Sequence, residues 1–287
     1  MTETKYPILD FELPLLLTEI SDPPKKLYIR GTFPEENVRF LTVVGSRKYT
    51  AYGQHVCERL ISGLRGYPVS IISGLALGID GIAHKSALEN NLSTIAVPGS
   101  GLDDKVLYPA THKQLARNIL ESGGALVSEF EPDWRPRPES FPQRNRIMAG
   151  MSHAVLVIES QLRSGTLITS RLATEYNRDV LAVPGPINNS NSEGPNMLIK
   201  KGAALIQNSE DILNALGLDK EASKQQSLPL SLSEDEQKVY ELLQEPLSRN
   251  DLVRKLTLST SQTNILLSSL ELKGYTKEVL GKIEWTG

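Results

Sequence analysis

The feature that most restricts the fold of this chain is a unit that it repeats: a short apolar run ending in glycine or serine, followed by apolar residues at helical spacing. Residues 40–44 (FLTVV) close on Gly45-Ser46-Arg47, and Tyr52, Val56, Leu60 and Leu64 then mark one face of a helix. Residues 69–72 end on Ser73-Gly74, with Ile79, Ala83 and Ala87 behind them, and residues 94–97 end on Pro98-Gly99-Ser100-Gly101. The alternation continues with a helix over about 111–120, strands near 125–127 and at 154–158, a helix over 166–176, a strand at 180–183 and a last pair of elements through 197–215. Short strands separated by helices require parallel crossovers. The expected fold is therefore α/β, a Rossmann-like three-layer sheet, mostly parallel, with helices on both faces. In such a sheet a ligand belongs outside the carboxyl ends of the strands, where this chain places glycines, serines and Arg47.

The flanks read differently. Prolines at 7, 14, 23, 24 and 34 and the lack of periodicity make residues 1–39 an arm, expected to be mostly irregular and to pack on the core domain of residues 40–217. Residues 218–231 (LDKEASKQQSLPLS) have no period and read as a linker. Over residues 232–287 three helices are signalled by capping pairs, Ser233 with Glu236, Ser248 with Asp251 and Ser259 with Gln262. Their apolar faces use Val239, Leu242 and Leu243, then Leu252, Val253 and Leu256, then Ile265, Leu266 and Leu270. Gly274 ends the third helix, and a hairpin around Gly281 completes a small winged-helix domain.

Charge and cysteine content narrow the function. The net charge of −3 argues against indiscriminate coating of nucleic acid and permits a local basic patch. Residues 41–217 carry 17 Lys and Arg against 16 Asp and Glu, and residues 231–287 carry 7 against 9, so the second domain is slightly acidic. Cys57 stands alone, which excludes an intrachain disulfide and fits a reducing, cytoplasmic compartment. The four histidines form no close ligand pair, so no metal is expected. No apolar run is long enough to span a bilayer, and the first residues lack the pattern of a signal peptide.

Standard cofactor motifs are absent. The first turn is GSRKYTAYG rather than G-x-G-x-x-G, and Gly99 and Gly101 supply two glycines with Asp104 in the third place, so no dinucleotide cofactor is expected. There is neither a P-loop nor a G-x-S-x-G elbow. Asp80, Glu129 and Glu159 lie near element ends, where a general base would sit, but helix capping and pairing with arginines are commoner roles for such carboxylates. Basic character concentrates in one stretch, FPQRNRIMAG from Phe141 to Gly150, with Arg135 and Arg137 just before it. Arginine forks suit bidentate phosphate contacts. Together with Arg47, Arg163 and the glycine turns they make a rim suited to binding phosphates without cleaving them. Phe141, Tyr108 and Trp134 are expected near this basic rim, where aromatic rings offer surfaces for stacking.

Five blocks in order, VVGSRKYTAYG, SGLALGIDGIAHKSAL, TIAVPGSGLDDKVLYP, FPQRNRIMAGM and RSGTLITSRLATEYNRDVLAVPG, resemble the bacterial DNA-processing family DprA, also called Smf. The resemblance implies a cytoplasmic recombination mediator, active in natural transformation and competence, that binds single-stranded DNA. It also implies displacement of single-strand-binding protein, loading of the RecA recombinase and a homodimer, with neither catalysis nor a cofactor. The expected DNA and phosphate contacts are Gly45, Ser46, Arg47, Ser73, Gly74, Gly99, Gly101, Phe141, Arg144, Asn145, Arg146, Arg163, Ser164, Gly165 and Thr166. After Tyr108-Pro109, where several family members carry lysine, this chain has Ala110, and Lys113 is the nearest cation that would replace it. The same glycine turns leave a nucleotide-processing enzyme of the phosphoribohydrolase type as the alternative, although Arg163-Ser164-Gly165-Thr166 lacks the paired glycines of that family. A transcription factor acting through the winged helix is the third reading.

Overall fold

The fold is described from a computed structural model, which covers residues 6–35, 37–218, 233–243, 246–256, 258–279 and 281–285. The linker expected at 218–231 lies, from residue 219 on, outside the described residues. Contacts divide the chain into two units, Met1–Gln225 and Gln226–Gly287.

The first unit runs through β1 (Ile8–Phe11), α1 (Leu15–Thr18), β2 (Leu27–Gly31), β3 (Arg39–Val44), α2 (Ala51–Ser62), β4 (Val69–Ser73), α3 (Ile79–Glu89) and β5 (Ser93–Ala96). It continues with α4 (Lys113–Glu121), β6 (Ala125–Ser128), α5 (Ser140–Gly150), β7 (Ala154–Val157), α6 (Thr166–Glu175), β8 (Asp179–Ala182), α7 (Glu193–Lys200), β9 (Ala204–Leu205) and α8 (Ser209–Ala215). The nine strands form one sheet in the order β1-β2-β6-β5-β4-β3-β7-β8-β9. From β6 to β9 all neighbours are parallel. The pleat accounts for the layers: along β3, Leu41 and Val43 enter the core beneath α2, α3 and α8, while Phe40 and Val44 enter the core beneath α1, α5 and α6. A strand buried on both faces is apolar at most positions, and Thr42, Ser73, Thr94 and Ser128, polar residues that these strands do bury, each donate to a backbone carbonyl.

The arm departs from expectation. Rather than lying irregularly over the core, it contributes two antiparallel strands, β1 on β2 and β2 on β6, which extend the sheet beyond its parallel part. Leu17 and Ile20 between those strands, together with Leu27 and Ile29, are buried in the same core as Ile147 and Met148 of α5. Pairing with β6 joins residues about a hundred positions apart, a non-local effect with no periodic trace in strands of four or five residues.

The second unit comprises α9 (Glu234–Leu242), β10 (Leu247–Ser248), α10 (Arg249–Lys255), α11 (Thr260–Leu272), β11 (Thr276–Val279) and β12 (Lys282–Trp285), with strand order β10-β12-β11. This is a winged-helix arrangement. Ser233 and Ser259 form reciprocal capping boxes with Glu236 and Gln262, and Ser248 caps α10 through the Asp251 amide. The core holds Val239, Leu243, Leu252, Leu256, Leu267, Leu270 and Ile283. Ile265, expected inside, is 69% exposed, and Leu267 takes its place on the buried face of α11.

Candidate nucleic-acid interface

Strand order reverses between β3 and β7: the chain proceeds from β3 outwards to β6, then returns to β7 on the other side and continues to β9. At such a reversal the loops beyond the two strands diverge and leave a crevice. Here it is a cleft of about 740 Å³, bordered by the turn after β3, the loop between β7 and α6, and the first turns of α3, α5 and α6. Neither α5 nor α6 carries an acidic residue in its first turn, although Glu139 stands at the N-cap of α5, and the positive ends of both helix dipoles border the cleft.

At its floor lies Arg144, 5% exposed. Its Nη1 donates to Gly74 O at 2.6 Å and also to Val97 O, and its Nε donates to Asn145 Oδ1 at 3.1 Å. The guanidinium therefore spans the ends of β4 and β5. A Cβ on Gly74 would fall 2.0 Å from Arg144 Nη1, so only glycine lets the side chain pass. Burial pushes the Arg144 pKa down to about 10, with the Asp80 carboxylate opposing and the Arg47 charge adding to the fall, and the group stays protonated at neutral pH. Asn145 orients Arg144 through Oδ1 and reaches Gly165 O through Nδ2 at 3.3 Å. Thr166 Oγ1 in turn donates to Gly45 O at 3.2 Å, so the turns after β3 and β7 are fastened together.

Above this floor Arg47 sits 5.5 Å from the centre of the Phe141 ring, and the Tyr108 ring packs against Phe141 with centres 5.6 Å apart. The turn carrying Gly45, Ser46 and Arg47 is held by Ile79 N, which donates to Ser46 O at 3.2 Å. Gly78 makes that approach possible, with φ of +83° and no room for a Cβ against Ser46 O. Arg163, Ser164 and Gly165 form the opposite wall with Thr166. Four cations, Arg47, Lys48, Arg144 and Arg163, line the cleft against one carboxylate, Asp80. Among the described residues, Arg47, Lys48 and Arg163 make no ion pair.

Several expected contacts lie elsewhere. Arg146 points away from the cleft, because residues two apart on a helix face nearly opposite sides. It pairs with Glu129, donates to Asp22 O and lies 3.8 Å from Asp22 Oδ2. Ser73 is fully buried and donates to Val43 O at 2.7 Å, tying β4 to β3. Gly99 backs the Phe141 ring, and Gly101 donates its amide to Trp134 O at 2.9 Å. Neither glycine borders the cleft. Lys113 is half-buried at the start of α4, where its charge acts on Asp104, and it does not border the cleft either. Trp134 stacks on Phe130 and carries the Arg137 guanidinium at 4.9 Å, away from the cleft lining.

The three candidate bases have structural positions. Glu159 accepts from Thr50 N at 2.9 Å and Thr50 Oγ1 at 2.5 Å, locking the N-cap of α2. Glu129 faces Arg146, with burial raising its pKa. Asp80 accepts from Gly74 N at 3.1 Å beside Arg144, and burial raises its pKa against the lowering effect of that arginine. Sequence reasoning passed over Lys48 and Asn191. Asn191 Nδ2 donates to Lys48 O at 2.7 Å, and the motif GSRK was the only signal for Lys48. Among the described residues no group of three or more His, Cys, Asp or Glu is placed to hold a metal ion, and no helix is long and apolar enough to cross a membrane.

Comparison with known proteins follows this geometry. Residues 3–217 match the family model of DNA recombination-mediator protein A, and residues 222–282 match that of the DprA winged helix domain. Protein Smf of Escherichia coli (strain K12) is 48% identical over 211 residues, 72% of this chain and 54% of that protein. DNA processing protein DprA of Streptococcus pneumoniae is 42% identical over 208 residues, 72% of each chain. This chain thus spans about half the length of the Escherichia coli relative. Among solved structures, DNA processing protein A from Streptococcus pneumoniae superposes with a TM-score of 0.67 at 39% identity, covering 73% of this chain and 74% of that one. The Helicobacter pylori protein, described for its single-stranded DNA binding mode, gives 0.66 at 31% identity, covering 75% and 96%.

Proposed function

We propose, since the chain belongs to the DNA recombination-mediator protein A family, that it is a recombination mediator that holds single-stranded DNA in the cleft between β3 and β7. The observation that carries this reading is the lining: four cations without acidic partners beyond Asp80, two helix N-termini and the Phe141 ring at one switch point, with Tyr108 packed on that ring from outside the lining. Single strands are bound by such a combination of a positive groove with surfaces for base stacking. The chemistry is binding without bond cleavage. Glu159, which a phosphoribohydrolase reading would use as base, accepts two hydrogen bonds from Thr50 and is buried under α2.

On the same reading the protein acts in the cytoplasm as a homodimer, displaces single-strand-binding protein and loads RecA during recombination or natural transformation. One protomer offers few cations, and paired clefts raise avidity. The winged-helix unit serves protein contact or regulation rather than duplex reading, because the exposed side of α11 offers Ile265 and Leu272, and Lys273 at its end is paired with Glu236.

The test titrates labelled single- and double-stranded oligonucleotides against the full chain and follows RecA filament growth on DNA coated with single-strand-binding protein. Preference for the single strand together with faster filament growth is expected. Failure to bind any single strand at low salt, or release of free base from nucleoside monophosphates, overturns the reading.

A further inference from the structure

The cleft does not account for a group of apolar side chains just outside it. Tyr49 and Tyr52 (each 42% exposed) follow β3, Leu162 (52%) follows β7, and Ile187 (96%) follows β8. Singly, exposed apolar residues are ordinary. Tyr49, Leu162 and Ile187 stand on three loops that leave adjacent strands at the same end of the sheet, Tyr52 stands on the first turn of α2 just after Tyr49, and these segments are bonded to one another. Tyr52 Oη donates to Pro184 O at 2.7 Å, which joins the first turn of α2 to the loop after β8. Asn191 Nδ2 donates to Lys48 O at 2.7 Å, and Ser160 N donates to Asn191 O at 2.7 Å, which brings in the loop after β7. The apolar tips thus stand on backbone fixed in place before any ligand arrives. Lys48 and Arg163, the chain neighbours of Tyr49 and Leu162, line the cleft.

We propose that Tyr49, Leu162 and Ile187, with Tyr52 bracing them, form a second base-binding platform, on which the strand leaving the cleft lays its next bases. The proposal rests on the single-strand reading above and extends it to the β8 side of the site. Continuity chooses the occupant: a strand neutralised by Arg163 and Lys48 leaves the cleft over these residues. Its bases carry the apolar faces that the tips lack. Two strand spacings separate β3 from β8, about 10 Å, which is room for about two nucleotides. No cation belongs to the four, so their contribution is apolar and acts without releasing counterions.

The experiment compares oligothymidylates of about four and about eight nucleotides on the full-length wild type and on the double variant Leu162→Ser with Ile187→Ser, whose altered side chains are exposed and leave the core untouched. Wild type gains affinity beyond the statistical factor on lengthening, and the variant keeps tetramer affinity, loses about tenfold on the octamer and shows an unchanged salt slope. Equal octamer affinity in the two proteins overturns the platform while leaving the cleft reading intact. A changed sedimentation coefficient of the variant with unaltered DNA affinity also overturns it, since these tips then serve a second copy of the chain. If neither oligonucleotide binds wild type, the cleft reading falls and the platform with it.

Discussion

Replacing Arg47 and Arg163 together by alanine removes two of the four cations in the cleft, and both are free of ion pairs among the described residues. Each phosphate neutralised on a single strand contributes about −0.7 to the slope of log affinity against log salt. With four cations engaged the wild-type slope is about −2.8, and with two it is about −1.4. Between about 50 and about 200 mM salt, wild-type affinity then falls about 50-fold and that of the variant about 7-fold. Fluorescence anisotropy with a labelled oligothymidylate of about 20 nucleotides, repeated across salt concentrations, measures both slopes. Arg146→Ala is the contrast: its guanidinium is engaged by Glu129 and Asp22, so the slope stays at the wild-type value. Loss of that half-buried partner instead lowers stability by about 3 kcal/mol, read by chemical denaturation. The reasoning fails if the double variant keeps the wild-type slope, or if Arg146→Ala, still folded, flattens it by about 0.7.

Other outcomes follow from the same contacts. Glu159→Gln puts an amide where Thr50 offers two donors, so stability drops by about 1–3 kcal/mol while oligonucleotide affinity is unchanged, and lost affinity at full stability would contradict its capping role. Leu17→Ala empties a fully buried site between the arm and α5 and lowers stability by about 2–5 kcal/mol; no measurable loss would show that the arm is not part of the core. His84 is buried against Thr94 Oγ1, and burial pushes its pKa down to about 3, below the unfolded value of about 6.5. Its contribution is therefore intact above about pH 6.5 and lost as pH falls towards about 3, amounting to about 2 kcal/mol by pH 5. Denaturation of wild type and His84→Leu at the two pH values checks this, because the variant should lack that part of the loss.

By itself the sequence determined whatever depends on neighbours along the chain. The parallel strands of the core, the helices between them and the three caps of the winged helix were legible because an apolar run, a 3.6-residue period and a serine three positions before its partner are local signals. Sheet topology then carried the inference that the cleft lies at the strand ends, and Gly45, Arg47, Phe141, Arg144 and Arg163 are all found there. Tertiary structure alone decided which arginine of FPQRNRIMAG serves it. The stretch looked uniformly basic, but as a helix it sends Arg144 under Gly74 and Val97 and Arg146 towards Asp22 on a segment more than a hundred residues away. It also decided that the proline-rich arm becomes two strands, since a strand of four or five residues is stabilised by the edge it joins rather than by its own pattern. Glu159, near a strand end like any catalytic carboxylate, became a cap because α2 begins beside it. Periodicity records which face of an element is buried, whereas the partner of a buried charge is set by which distant segments the fold brings within hydrogen-bond reach.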